Sequence, residues 1–189
     1  MEKSLLYLHG YNSNGNAFKA QQLHAMFPEY GFISPDFHYK TTAPRDVLWQ
    51  IVEIVKSNDI RLVVGSSTGG YYGLSVLSEV QVPVLAVNPV TNSPELFRHM
   101  VTRDEDPFFY DNFYDKYVDF QENVFEKIPL PNPNINLALA LDDDLLGSHE
   151  PTKQRFANCG HVIEMDNCGH HFTRFGELGT FIAEILEER

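Results

Sequence analysis

Short apolar runs and longer amphipathic segments take turns along the chain. Largely apolar stretches at residues 5–8, 31–35, 60–64, 82–87, 135–141 and 162–165 read as strands. Because the runs are nearly continuous rather than alternating, those strands should be covered on both faces. Between them, residues 17–27, 45–57, 70–79, 149–157 and 176–186 read as helices. The clearest is 45–57, where Val47, Leu48, Ile51, Ile54 and Val55 recur at helical spacing behind Pro44, which suits a first turn. Strand–helix alternation of this kind predicts an α/β fold, with a mostly parallel sheet of about six strands and helices on both faces.

One stretch breaks the alternation. Residues 92–131 hold nine of the chain's 24 Phe, Trp and Tyr side chains, where an even spread would place about five. They follow no clean period. The expectation is a partly helical, lid-like insertion within one domain spanning 1–189. It would either pack over the sheet, form an apolar wall above its carboxyl edge, or offer a contact to a second copy of the chain.

Charge and cysteine usage narrow the function classes. The chain of 189 residues carries 14 basic and 26 acidic side chains, a net charge of −12. An acidic surface argues against nucleic acid and anionic membranes as partners. No apolar run approaches the length of a membrane span, and the first residues lack a signal-peptide pattern. Cys159 and Cys168 provide no disulfide framework and no C-x-x-C spacing. These features lead us to expect a cytoplasmic protein, monomer or homodimer.

Loops at the carboxyl ends of parallel strands converge on one edge, where functional groups collect. Four candidate groups fall in such loops: His9-Gly10-Tyr11, Ser67, Asp142-Asp143-Asp144 and Cys168-Gly169-His170-His171. Gly65-Ser66-Ser67-Thr68-Gly69 fits the G-x-S-x-G pattern of a serine on a tight strand-to-helix turn, whose small neighbours avoid clashes around a strained backbone. A serine hydroxyl needs a neutral imidazole to take its proton, and that imidazole needs a carboxylate to fix its tautomer. The order Ser, Asp, His is that of α/β-hydrolases.

With these motifs the chain resembles the α/β-hydrolases, specifically the small YqiA-like esterases. The likeness rests on Leu6-Tyr7-Leu8-His9-Gly10-Tyr11-Asn12-Ser13, Gly65 through Tyr72, Val87-Asn88-Pro89 and Gly169-His170-His171-Phe172. The resemblance implies Ser67 as nucleophile, His170 as general base, an Asp after the 137–141 strand as its orienting acid, and the amides of Tyr11 and Thr68 as oxyanion hole. It implies no cofactor, and although His170-His171 stand near Asp166, no ligand spacing of the H-E-x-x-H kind points to a metal. Where that family has a Gly before the acid, this chain has three consecutive acids. Aligning Leu145 with the apolar position of the turn selects Asp143, with Asp144 as the alternative.

The substrate implied is a small-molecule ester or thioester of small to medium acyl size, cleaved through an acyl-enzyme. Two alternatives stay open: another reaction of the same triad (peptidase, C–C hydrolase or lyase), or a non-catalytic binding protein on a hydrolase scaffold. His9 reads as a structural residue of the oxyanion loop. His24, His38, His99, His149 and His161 read as surface residues.

Overall fold

The structure, a computed structural model, describes residues 2–100 and 103–188. Strands β1 (Lys3–Leu8), β2 (Gly31–Ile33), β3 (Asp59–Ser66), β4 (Val84–Val87), β5 (Ile135–Ala140) and β6 (Val162–Met165) form one sheet in the order β2-β1-β3-β4-β5-β6. Every neighbouring pair is parallel. The helices are α1 (Phe18–Met26), α2 (Pro44–Ser57), α3 (Thr68–Ser75), α4 (Ser93–Met100), α5 (Pro107–Phe109), α6 (Asp115–Asn123), α7 (Glu150–Arg155) and α8 (Gly179–Glu187).

The continuous apolar runs have a direct cause. Successive strand residues point to opposite faces, and here both faces are dry. Leu6, Leu8, Val63, Val84 and Leu137 face one core layer with Val47, Leu48, Ile51 and Leu74 of α2 and α3. Leu5, Tyr7, Leu62, Val64 and Leu85 face the other with Leu23, Ile182 and Ile185 of α1 and α8. From β1 the chain passes outward to β2, then crosses to β3 on the other side of β1. The strand order therefore reverses between β1 and β3, where a parallel sheet opens its crevice. Leu8 is matched to Gly65 across that pair, so the loop after β1 and the turn after β3 leave the sheet side by side.

Residues 92–131, of which 101 and 102 lie outside the described residues, pack over α3. Phe97, Phe109, Tyr117, Phe120 and Phe125 are fully buried. Phe125 stacks on Tyr71 at 4.5 Å between ring centroids, and Phe120 lies 5.8 Å from Tyr72. The missing period has a structural reason: between α5 and α6 the chain makes a π turn at Tyr110–Tyr114, which shifts the helical register partway through the aromatics. Phe108 alone of these nine is strongly exposed, at 58%. Elsewhere element ends shift by a few residues from those the periodicity suggests: β1 and β3 run longer, while β2 and α3 are shorter. β2 ends at Ile33, because Pro35 cannot continue a ladder, and α3 gives way after Ser75 to a 3-10 turn, Val76–Ser78.

Candidate active site

Ser67 stands on the turn between β3 and α3 with φ 56° and ψ −117°, a conformation that an L residue adopts only under constraint. The constraint comes from close packing on either side. A Cβ on Gly65 would lie 2.2 Å from the carbonyl oxygen of Gly69, and one on Gly69 would lie 2.1 Å from that of Leu8. Only glycine fits either place. The Ser67 amide is itself anchored to the Val87 carbonyl at 2.9 Å.

Three side chains from three loops meet at this turn. Ser67 Oγ lies 3.0 Å from His170 Nε2, and His170 Nδ1 lies 3.0 Å from both carboxylate oxygens of Asp143. A carboxylate only accepts, so Nδ1 carries the proton and Nε2 is left to accept from the serine hydroxyl. His170 and Asp143 are buried while Ser67 keeps partial access to solvent. Burial alone pushes the Asp143 pKa up. Hydrogen bonds from His149, His170 and the Leu146 amide outweigh it and hold the carboxyl well below the usual carboxylate range.

The three consecutive acids divide the work of holding the histidine loop. Asp142 Oδ1 accepts the amides of Cys168 at 2.9 Å and Gly169 at 3.1 Å, and Asp144 Oδ1 accepts the His170 amide at 2.9 Å. Asp143 takes the imidazole. Of the two candidates for the acid, then, Asp143 reaches the ring and Asp144 reaches the backbone. Asn88, fully buried with φ 41°, completes the clamp from β4. Its Nδ2 donates to the carbonyls of Gly169 and His170 at 3.1 Å each, and its Oδ1 accepts the Ala140 amide at 2.8 Å.

On the other side of Ser67, His9 fixes the loop after β1. Its Nε2 accepts the Phe37 amide at 2.9 Å, so the proton sits on Nδ1, which donates to the Gly10 carbonyl at 2.8 Å. Burial draws the His9 pKa down and favours this neutral form. Tyr11, next along, packs its ring on Phe97 at 5.1 Å with Lys40 Nζ 5.3 Å from its centroid. Burial, with the Asp106 charge adding to it, pushes the Tyr11 hydroxyl up to about 12. Thr68 is the first residue of α3, where backbone N–H groups have no partner within the helix.

Ser67, Thr68, Tyr11 and His170 line one cavity of about 440 Å³ whose apolar wall includes Tyr7, Phe18, Leu96 and Leu145. Among the described residues, no group of three or more His, Cys, Asp or Glu is placed to hold a metal ion. No helix among them is long and apolar enough to cross a membrane.

His149 corrects the surface reading of the sequence. It is buried, and its Nε2 lies 2.9 Å from Asp143 Oδ2, giving the carboxylate a second imidazole. The pairing has a local signal in the sequence: His149 stands six residues after Asp143, across a turn closed by the Leu145 and Leu146 amides on Asp143 Oδ1. His24, His38 and His161 are exposed, and the side chain of His99 lies outside the described residues.

The chain matches the Uncharacterised protein family UPF0227 over residues 4–186. Its fold is shared by solved α/β-hydrolases. Est1E from Butyrivibrio proteoclasticus, with ferulic acid bound, superposes with a TM-score of 0.71 at 13% identity, over 98% of this chain and 90% of that one. Alpha/beta hydrolase domain-containing protein 10 from mouse gives 0.71 at 14% identity over the same shares, 98% and 90%. The esterase domain of a Rhodothermus marinus protein gives 0.67 at 14% identity, over 96% and 84%. The fold of this chain is thus the α/β-hydrolase fold.

Proposed function

The chain belongs to the UPF0227 family, and on that premise we propose that it is a serine hydrolase of carboxylic esters or thioesters. The observation that carries this is the unbroken hydrogen-bonded line from Ser67 Oγ through the His170 ring to Asp143, with 3.0 Å at each joint. Ser67 Oγ attacks the substrate carbonyl as its proton passes to His170 Nε2. The imidazolium formed is supported by Asp143, which stays ionised. The amides of Tyr11 and Thr68 receive the oxyanion, a contribution of about 3 kcal/mol per donor. His170 then protonates the leaving group, an acyl-Ser67 remains, and water activated by the same imidazole releases the acid.

The cavity favours a compact substrate. A volume of about 440 Å³ falls within the roughly 300–1,000 Å³ of small-molecule sites, and its apolar wall suits a small to medium acyl or aryl group. The test is intact-protein mass after a fluorophosphonate probe. Wild type should gain one adduct and Ser67→Ala none, while His170→Ala and Asp143→Asn label more slowly, by up to about 10⁴-fold. Folded wild type that neither labels nor turns over any of a panel of esters and thioesters would leave the scaffold-only alternative standing.

A further inference from the structure

The cavity beside Ser67 has an unusual charge inventory for so acidic a chain. Among the described residues that line it there is no Asp or Glu, although the chain carries 26. Its one permanent cation is Lys19, in the first turn of α1. Lys19 Nζ donates to the His171 carbonyl at 2.5 Å, which tethers the ammonium one residue from the proposed base. Lys19 does not figure in the Lys and Arg ion pairs of the described residues. An ammonium has three protons to donate, and the carbonyl uses one.

We propose that Lys19 is a specificity residue that binds an anionic group of the substrate, so that the preferred esters or thioesters carry a negative charge a few bonds from the scissile carbonyl. This rests on the hydrolase reading above. Two further features support it. The first turn of α1 contains no acidic residue, so the positive end of the helix dipole adds to the lysine instead of being cancelled. Partial burial also draws the Lys19 pKa down, a cost that an arriving anion would offset. A lysine kept only to tether the histidine loop would need neither a place in the cavity lining nor a lining free of carboxylates.

The experiment compares matched substrates at low ionic strength, with acid release followed by pH-stat. Monoethyl succinate is paired with ethyl 4-methylpentanoate, its uncharged isostere, to place the charge on the acyl side. O-acetylglycolate is paired with isobutyl acetate to place it on the alcohol side. For wild type, kcat/KM for the charged member of at least one pair should exceed its isostere by tenfold or more, the size of one charge-assisted hydrogen bond. The pair concerned reports which side of the ester faces Lys19. In Lys19→Met that ratio should fall to one or below, in Lys19→Arg it should persist, and added salt should compress it.

Wild type with no preference in either pair, or a preference that Lys19→Met retains, overturns the proposal. A ratio is read because a mere tether, when lost, lowers both members together. Thermal shift with succinate separates this proposal from the hydrolase reading. If no ester is turned over and Ser67 does not label, succinate that stabilises wild type but not Lys19→Met upholds the anion site alone. Equal stabilisation of both, or none, removes it.

Discussion

His149 reaches the proposed base only through Asp143, and that makes its contribution measurable. Asp143 Oδ2 receives both His149 Nε2 and His170 Nδ1, so a second imidazole helps to hold the carboxylate beside the proposed base. Without His149 the carboxylate keeps the Leu145 and Leu146 amides on Oδ1 and the His170 ring, but loses one of the two partners of Oδ2. His149→Phe should therefore lower kcat about tenfold, the scale of one hydrogen bond to a charged group. KM should hardly move, because proton transfer is affected and ground-state binding is not. His149→Gln, whose amide nitrogen falls near the position of Nε2, should restore most of the loss. Equal loss in both variants would make His149 a packing residue and no more.

Between β4 and β5 the aromatic segment ties stability to the site. Phe97 is fully buried, 4.9 Å from Phe109 and 4.7 Å from Tyr117 between ring centroids, and it carries the Tyr11 ring. Phe97→Ala should cost about 3–5 kcal/mol in urea denaturation. It should also slow ester turnover by loosening the loop that presents the Tyr11 amide. Phe108→Ala, at an exposed position, should stay within about 0.5 kcal/mol of wild type. If the two variants unfold alike, the segment is not part of the core. The strands, α2 and the Ser67 turn were legible in the sequence because each rests on local chemistry: dry strands, a 3.6-residue period, glycines around a strained serine. The π turn, the tether from Lys19 to His171 and the pairing of His149 with Asp143 were not. They depend on a register shift or on residues brought together by the whole sheet, which no local period records.

At the scale of the whole molecule, part of the acid sensitivity lies at the edge where the site is built, alongside Asp119, Glu126 and Glu177, whose pKa values are lowered by arginine partners elsewhere. Asp142, Asp143 and Asp144 join β5 to the histidine loop as carboxylates. All three have pKa values lowered in the fold. Backbone amides lower Asp142 and Asp144, while hydrogen bonds overcome burial at Asp143. Each group thus binds fewer protons folded than unfolded, so unfolding takes up protons and stability is lost as pH falls. His9 acts in the same direction at a higher pH, since burial depresses its folded pKa and the unfolded imidazole titrates near about 6.5. The contribution of the acids is complete above the unfolded carboxylate value, about 3.9, and is lost as pH falls through their depressed folded values. Urea midpoints taken from pH 8 to pH 3 should therefore decline in two stages, a shallow one below about 6.5 and a steeper one below about 4. His9→Gln, which keeps an acceptor for the Phe37 amide, should flatten the first stage and leave the second. Asp144→Asn, which keeps an acceptor for the His170 amide, should make the second shallower and leave the first. If neither variant changes its own stage, the acid sensitivity belongs to carboxylates lowered elsewhere in the fold, such as Asp119, Glu126 and Glu177, and not to the clamp that holds His170 over Ser67.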